Sequence, residues 1–218
     1  MAHLPSLDTQ ARVVSDAAQS FVEHYYNSLN KRQPLAQYYA SVSPHLTSAS
    51  VKPDISINGR VVESAAAYEA LLDAQGKHVH YDVLSYDAHP VNPNYATGCP
   101  EALALAADGT EGEARGGPGR GKVTKSVKDG DRISFVVQVS GTIRYGKPGD
   151  APAAAVPAAA GATTSAAAGG DAAAGEGAPV EKAFNEAWLL VPHWEALGRN
   201  ASRGLRRWVV TSQNFRAF

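Results

Sequence analysis

The chain has 218 residues, 44% hydrophobic and 19% charged, which suits one globular domain with long insertions or two small domains. Its formal net charge of -1 gives no global attraction to nucleic acid, so any such contact has to come from local patches. A single cysteine, Cys99, excludes an intrachain disulfide and fits a reducing compartment.

The opening MAHLPSLDTQ lacks a basic stretch followed by an apolar core, so it does not read as a secretory signal. No apolar run approaches the roughly 20 residues that span a bilayer. The expectation is a soluble, intracellular protein with no membrane insertion. Cys99 has no ligand-type neighbours and reads as a loop thiol rather than a nucleophile.

Residues Asp8 to Leu29 have the period of a helix. Val13, Ala17, Phe21, Val22, Tyr25 and Leu29 form one apolar stripe, and Asp8 or Thr9 is the expected N-cap. Pro34 opens a short second helix, expected over Leu35 to Ala40. Tyr25, Tyr26, Tyr38 and Tyr39 cluster around this turn, as packing groups or as the wall of a pocket.

Between Ser43 and Val62 the period changes. Ile55, Ile57 and Val61 bracket Asn58-Gly59, a pair that tolerates positive φ and predicts a tight hairpin. Ser64 then caps a third helix, Ala65 to Ala74, closed by Gly76, with Tyr68, Leu71 and Leu72 facing inward.

His78 to Val91 alternates as a strand. Its His78, His80 and His89 suit a surface strand better than a metal site, since no third ligand has fitting spacing. No metal and no cofactor is expected. Asn92 to Lys128 carries EGEARGGPGRGKVTKSVK, a Gly-rich basic loop. Its Arg115, Arg120, Lys122, Lys125 and Lys128 could track phosphates of RNA, or form only a solvated insertion. The Gly121-Lys122 context is not that of a Walker loop.

Arg132 to Tyr145 reads as a long strand. Phe135, Val137 and Val139 lie on one face and Val136, Gln138 and Ser140 on the other, with a bulge or bend expected at Gly141. Pro148 to Pro179 is Ala/Gly/Pro-rich and is expected to be a disordered insertion.

The C-terminal stretch reads as two strands joined by a polar loop, Glu195 to Gly204. Phe184, Glu186, Trp188 and Leu190 alternate with Asn185, Ala187, Leu189 and Val191, up to Pro192. Large apolar residues on both sides indicate a strand covered on both faces, which calls for a second covering layer or a second protein. Arg207 to Arg216 repeats the pattern. The element order is that of an α+β fold, with helices on one face of an antiparallel sheet.

FVEHYYNSLN near the start, F-N-E-A-W-L-L at 184–190 and W-V-V-T-S-Q-N-F-R at 208–216 resemble the nuclear transport factor 2-like family. Within it they are most similar to the small subunit, fungal type, of the mRNA export receptor heterodimer. The resemblance implies a cone in which three N-terminal helices pack on a strongly bent antiparallel sheet. It implies one such domain over 1–218, with insertions at about 92–128 and 148–179. The outer sheet face would dock on the same fold in a larger export receptor subunit. The assembled heterodimer would bind phenylalanine-glycine repeats of nucleoporins, and the protein would shuttle between nucleus, pore and cytoplasm.

Arg216 matches the arginine that pairs with a partner acid in related small subunits. Strand parity then places Ser212, Asn214 and Arg216 on the outer face with Asn185, Ala187, Leu189, Val136 and Gln138, and Phe215 inside with Val209 and Thr211. The resemblance implies no catalytic residue. The competing reading is a small-molecule isomerase or dehydratase, since the same cone houses such enzymes. Tyr25, Tyr81, Asp82, His80 and Glu186 would be its cavity groups.

Overall fold

The computed structural model describes residues 4–76, 78–101, 103, 127–146, 180–198 and 201–218. Most of the basic stretch and the Ala-rich insertion therefore lie outside the described residues. A 24-residue helix, α1 (Leu7–Asn30), opens the chain. Its cap is Ser6, whose hydroxyl accepts from the Thr9 N–H, rather than Asp8 or Thr9. Ser6 offers an oxygen to an otherwise unsatisfied first-turn donor, and Asp8 then sits inside the first turn, where the helix dipole favours an anion.

The expected second helix is instead two 3-10 turns, Ala36–Tyr38 and Ala40–Val42, separated by the extended Tyr39. A five-residue helix, α2 (Pro44–Ser48), follows; it has Pro at its start and the Ser43 hydroxyl as its cap. Strands β1 (Asp54–Ile57) and β2 (Arg60–Val62) form the expected hairpin, with Asn58 at φ 51 and Gly59 at φ 81. Helix α3 (Ala65–Ala74) has the expected Ser64 cap. Its Tyr68 and Leu72 are buried, but Leu71 is 38% exposed and does not face inward.

Three long strands, β3 (Val79–Asn92), β4 (Ser134–Tyr145) and β5 (Val180–Pro192), lead to a four-residue helix, α4 (Trp194–Leu197), and then to β6 (Trp208–Ala217). Among the described residues the strands form one sheet in the order β2-β1-β6-β5-β4-β3. It is mixed, not purely antiparallel: β1 runs parallel to β6, with Ile55 opposite Gln213 and Ile57 opposite Phe215.

Two bulges matter. Leu84 is an extra residue in β3 opposite the Ser140–Gly141 step. A Cβ on Gly141 would lie 2.2 Å from the Asp82 carbonyl oxygen and 2.6 Å from the Phe184 ring, so only glycine fits where the strands close up. The second bulge inserts Thr211 into β6, between the pairs Leu189–Ser212 and Leu190–Val210. It reverses the phase of the first half of β6. Val210 therefore enters the main core, and Val209 pairs with Val191 on the other face, so neither Val209 nor Thr211 accompanies Phe215.

The main core lies between α1, α3 and one sheet face. Trp188 is its centre, with the Phe21 ring at 5.2 Å and the Tyr25 ring at 4.9 Å, both edge-on. Tyr25, Tyr26, Tyr38 and Tyr39 are buried in this packing. A second cluster covers the opposite sheet face at one end, where Trp194, Leu197, Ala40 and Leu46 pack on Val191 and Val209. Glu195 ties this cover down by accepting from the Ser43 hydroxyl at 2.6 Å and the His45 N–H at 3.0 Å, with His193 Nε2 at 3.3 Å. Burial pushes the Glu195 carboxyl up, but these hydrogen bonds outweigh it and hold the group below its ordinary range.

Candidate docking face

Beyond the Trp194 cover, no cluster of described residues packs on the outer sheet face. Pairing aligns three rows across β4, β5 and β6: Val136–Leu189–Ser212, Gln138–Ala187–Asn214 and Ser140–Asn185–Arg216. All eight residues expected on this face are thus on it, joined by Ser140. Val136, Ala187, Leu189 and Ser212 are half-buried, while Gln138, Asn185, Asn214 and Arg216 are exposed. The face grades from aliphatic at one end to amide and guanidinium at the other.

Ala187 is small, and its larger neighbours leave a shallow hollow of about 350 Å3, bordered by Gln138, Asn185, Asn214 and Arg216. Ser140 donates to Asn185 Oδ1 at 2.7 Å, which fixes that amide with its NH2 outward. The Arg216 guanidinium lies along the Asn58–Gly59 turn, where a Cβ on Gly59 would sit 3.4 Å from Nη1. Among the described residues Arg216 has no ion-pair partner. The positive φ of 81 favours glycine at position 59.

On the β3 flank the same face carries paired charges. Asp82 holds Arg144 at 2.5 Å and His80 at 3.1 Å, and Asp87 holds His89 at 2.9 Å. His80 and His89 are engaged with carboxylates on the surface. No group of three or more metal-ligand side chains occurs among the described residues.

Directly behind the face, Glu186 points into the core and is 2% exposed. It accepts from the Tyr26 hydroxyl at 2.6 Å and from Gln213 Nε2 at 2.5 Å. Gln213 is oriented in turn: its Oε1 accepts from the Tyr39 hydroxyl at 2.6 Å, and Nε2 also reaches the Tyr25 hydroxyl at 3.0 Å. Burial pushes the Glu186 carboxyl up to about 7, the two hydrogen bonds opposing it. Desolvation likewise raises Tyr25, Tyr26, Tyr39 and Tyr68.

The cavity set of the enzyme reading does not converge. Tyr25, Tyr81 and Glu186 belong to the packed core, whereas His80 and Asp82 are ion-paired on the outer surface. Sequence reasoning missed Gln213 as the residue that organises the buried network. The available signal was a polar residue in phase with Phe215.

Arg115, Arg120, Lys122 and Lys125 lie outside the described residues. Lys128 is exposed in a 3-10 turn, Val127–Asp129. Of the C-terminal arginines, Arg206 lies 4.7 Å above the Tyr38 ring and donates to its hydroxyl, and Arg207 pairs with Asp131. Those two have structural partners; Arg203 is exposed and Arg199 lies outside the described residues.

Known structures match this arrangement of helices and sheet along nearly the whole chain. A chain of the Mex67:Mtr2 complex with a bound Sac3N peptide is 26% identical, with a TM-score of 0.66 over 94% of this chain and 98% of that one. A chain of the Chaetomium thermophilum Mex67 NTF2-like domain complexed with Mtr2 is 27% identical, with a TM-score of 0.65 over 94% and 98%. This chain has the nuclear transport factor 2-like fold. The structure of Mtr2 itself, 24% identical with a TM-score of 0.64 over 96% and 99%, has the same nuclear transport factor 2-like architecture. Neither a scan against protein-family models nor a search of curated proteins gives a match.

Proposed function

We propose that this chain is the small, non-catalytic subunit of a heterodimeric nuclear mRNA export receptor. It docks the outer face of its sheet on the matching fold of a larger subunit. The observation that carries the reading is the full-length likeness to chains of two Mex67:Mtr2 complexes at 26 and 27% identity. The outer face supports it: aliphatic Val136 and Leu189 beside Gln138, Asn185, Asn214 and Arg216 is the mixture typical of a protein interface.

In this reading Val136, Gln138, Asn185, Ala187, Leu189, Ser212, Asn214 and Arg216 meet the partner, and Arg216 finds there an acid that it does not have among the described residues. The whole chain acts as one domain with two insertions, in the nucleus and at the pore. The assembled heterodimer binds nucleoporin phenylalanine-glycine repeats and RNA. The basic stretch with Arg115, Arg120, Lys122, Lys125 and Lys128 supplies part of the RNA contact. Neutralising those five residues then weakens RNA binding and flattens its salt dependence, and an unaltered salt series rejects the RNA role.

The deciding experiment is light scattering after size exclusion, on the chain alone and co-expressed with the NTF2-like domain of a Mex67-type protein. A one-to-one complex is expected, weakened at least roughly tenfold by Arg216→Glu, which sets a carboxylate against the partner's acid. A chain that ignores that domain overturns the reading.

A further inference from the structure

Strand register extends the outer face past the eight residues named above. Ser56 pairs with Asn214 on one side and with Val61 on the other, so Val61 lengthens the Gln138–Ala187–Asn214 row onto β2. Ile55, Ile57 and Val62 turn into the core, which leaves Val61 outward and 78% exposed. At the end of β6, Ala217 packs on the core, so the next residue, Phe218, falls on the outer side. Its N–H donates to the Ala183 carbonyl at 2.9 Å, which adds a row, Thr142–Ala183–Phe218, beyond Arg216. Phe218 is 71% exposed.

Single exposed apolar side chains are ordinary on a protein surface. What distinguishes these two is the group they flank. The Arg216 guanidinium lies along the Asn58–Gly59 turn, which leads directly into the strand of Val61. That turn is fixed to β6 twice: the Asn58 N–H donates to the Phe215 carbonyl at 2.8 Å, and Asn58 Oδ1 accepts from the Ala217 N–H at 2.8 Å. The guanidinium is thus held with an aliphatic side chain on the hairpin side and an aromatic ring in the next row. An ion pair open to solvent contributes little, whereas one closed off from water contributes more.

We infer that, within the heterodimer reading on which this rests, Val61 and Phe218 form an apolar rim that the larger subunit covers, shielding the Arg216 ion pair from water. The partner then presents an acid opposite Arg216 with apolar side chains on both sides of it. Continuity with the docking face decides the occupant. Val61 is two strand spacings from Asn214, about 10 Å, and Phe218 is two residues from Arg216, about 7 Å. An interface of ordinary size, about 800 Å2 on each partner, reaches both.

The test uses co-purified complexes of the full chain with the NTF2-like domain of a Mex67-type protein. Their dissociation constants are measured by sedimentation of dilution series at low and high salt. Phe218→Ala should weaken the complex roughly tenfold, and Val61→Thr, which keeps the β-branched shape, roughly threefold. Phe218→Leu should restore most of the affinity. Both side chains stand in solvent in the free chain, so neither substitution opens a cavity. With Phe218→Ala the affinity should also fall more steeply with salt than in wild type, because water and counterions reach the Arg216 pair; lost packing alone does not give that change. Equal affinity of wild type and Phe218→Ala, or a salt dependence that the substitution leaves unaltered, overturns the rim and leaves the heterodimer reading standing. A wild-type chain that ignores the domain overturns both. Self-association of the chain alone, abolished by Phe218→Ala, assigns the rim to a second copy and overturns the inference as well.

Discussion

Replacing Glu186 by Gln should change the stability of the protein in opposite directions at low and high pH. In the unfolded chain this carboxyl loses its proton near 4.5, and in the folded core near 7. Between those values the folded state binds the proton more tightly, so stability falls as pH rises and levels off above about 7. About 2.5 pH units of displacement at 1.36 kcal/mol per unit corresponds to roughly 3 kcal/mol lost between pH 4.5 and pH 8. Glutamine has the same shape and never ionises, so it avoids this loss. Its amide, however, meets two donors, Tyr26 and Gln213, where the carboxylate satisfied both. One donor must turn or go unmet, at a cost of about 1 kcal/mol. The variant should therefore be less stable than wild type by about 1 kcal/mol below pH 4, about as stable near pH 5 and more stable by about 2 kcal/mol at pH 8. Urea titrations at pH 3.5, 5, 6, 7 and 8, read by tryptophan fluorescence and taken as wild-type minus variant differences, measure this directly. A difference of constant sign and size across that range would refute the account of a carboxyl titrating inside the core.

Gly141→Ala should destabilise by about 3 kcal/mol or more, because its Cβ would collide with the Asp82 carbonyl and with Phe184, a ring held on all sides; thermal unfolding checks it, and a loss under about 1 kcal/mol would mean that the β3 bulge can slide. Trp194→Ala should cost about 3 to 5 kcal/mol by emptying the second cluster. Exchange of the Val191 and Val209 amides should speed up in that variant more than that of Val137 and Val139, and a uniform rise would mean that the two cores melt as one.

The features legible in the sequence were those decided within a few residues. The stripe of α1, the Asn58-Gly59 turn and the Ser64 cap each rest on local chemistry, and each formed in or close to its expected place. The Leu35–Ala40 helix did not form: Tyr39 is needed in extended form beside Val210, so tertiary contact overrode a weak local preference. The parallel match of β1 to β6 has no local signature, and α4 is too short to show a period. The shared face of Val136, Gln138, Asn185, Ala187 and Leu189 was readable because β4 and β5 pair without interruption there. In β6 the Thr211 bulge lies just before Ser212, so alternation holds from Ser212 to Arg216 and fails for Val209. The Gln213 network depends on distant segments meeting, as when Gln213 meets Tyr25 across 188 positions, and the strand period shows only that a polar residue falls in phase with Phe215.

The position of β6 governs the order in which this protein can be assembled. It lies between β1 and β5, and Ala217 N–H reaches Asn58 Oδ1 across a separation of 159 residues. On the ribosome the β1–β2 hairpin is made early and its inner edge stays unpaired until β6 emerges. The apolar stripe of α1 waits as long for the complete sheet it covers. Closing such distant pairings slows folding and prolongs the exposure of sticky surface. Nascent chains should therefore depend on a chaperone until the last strand is inserted, even though the finished sheet buries that early edge completely within its own chain.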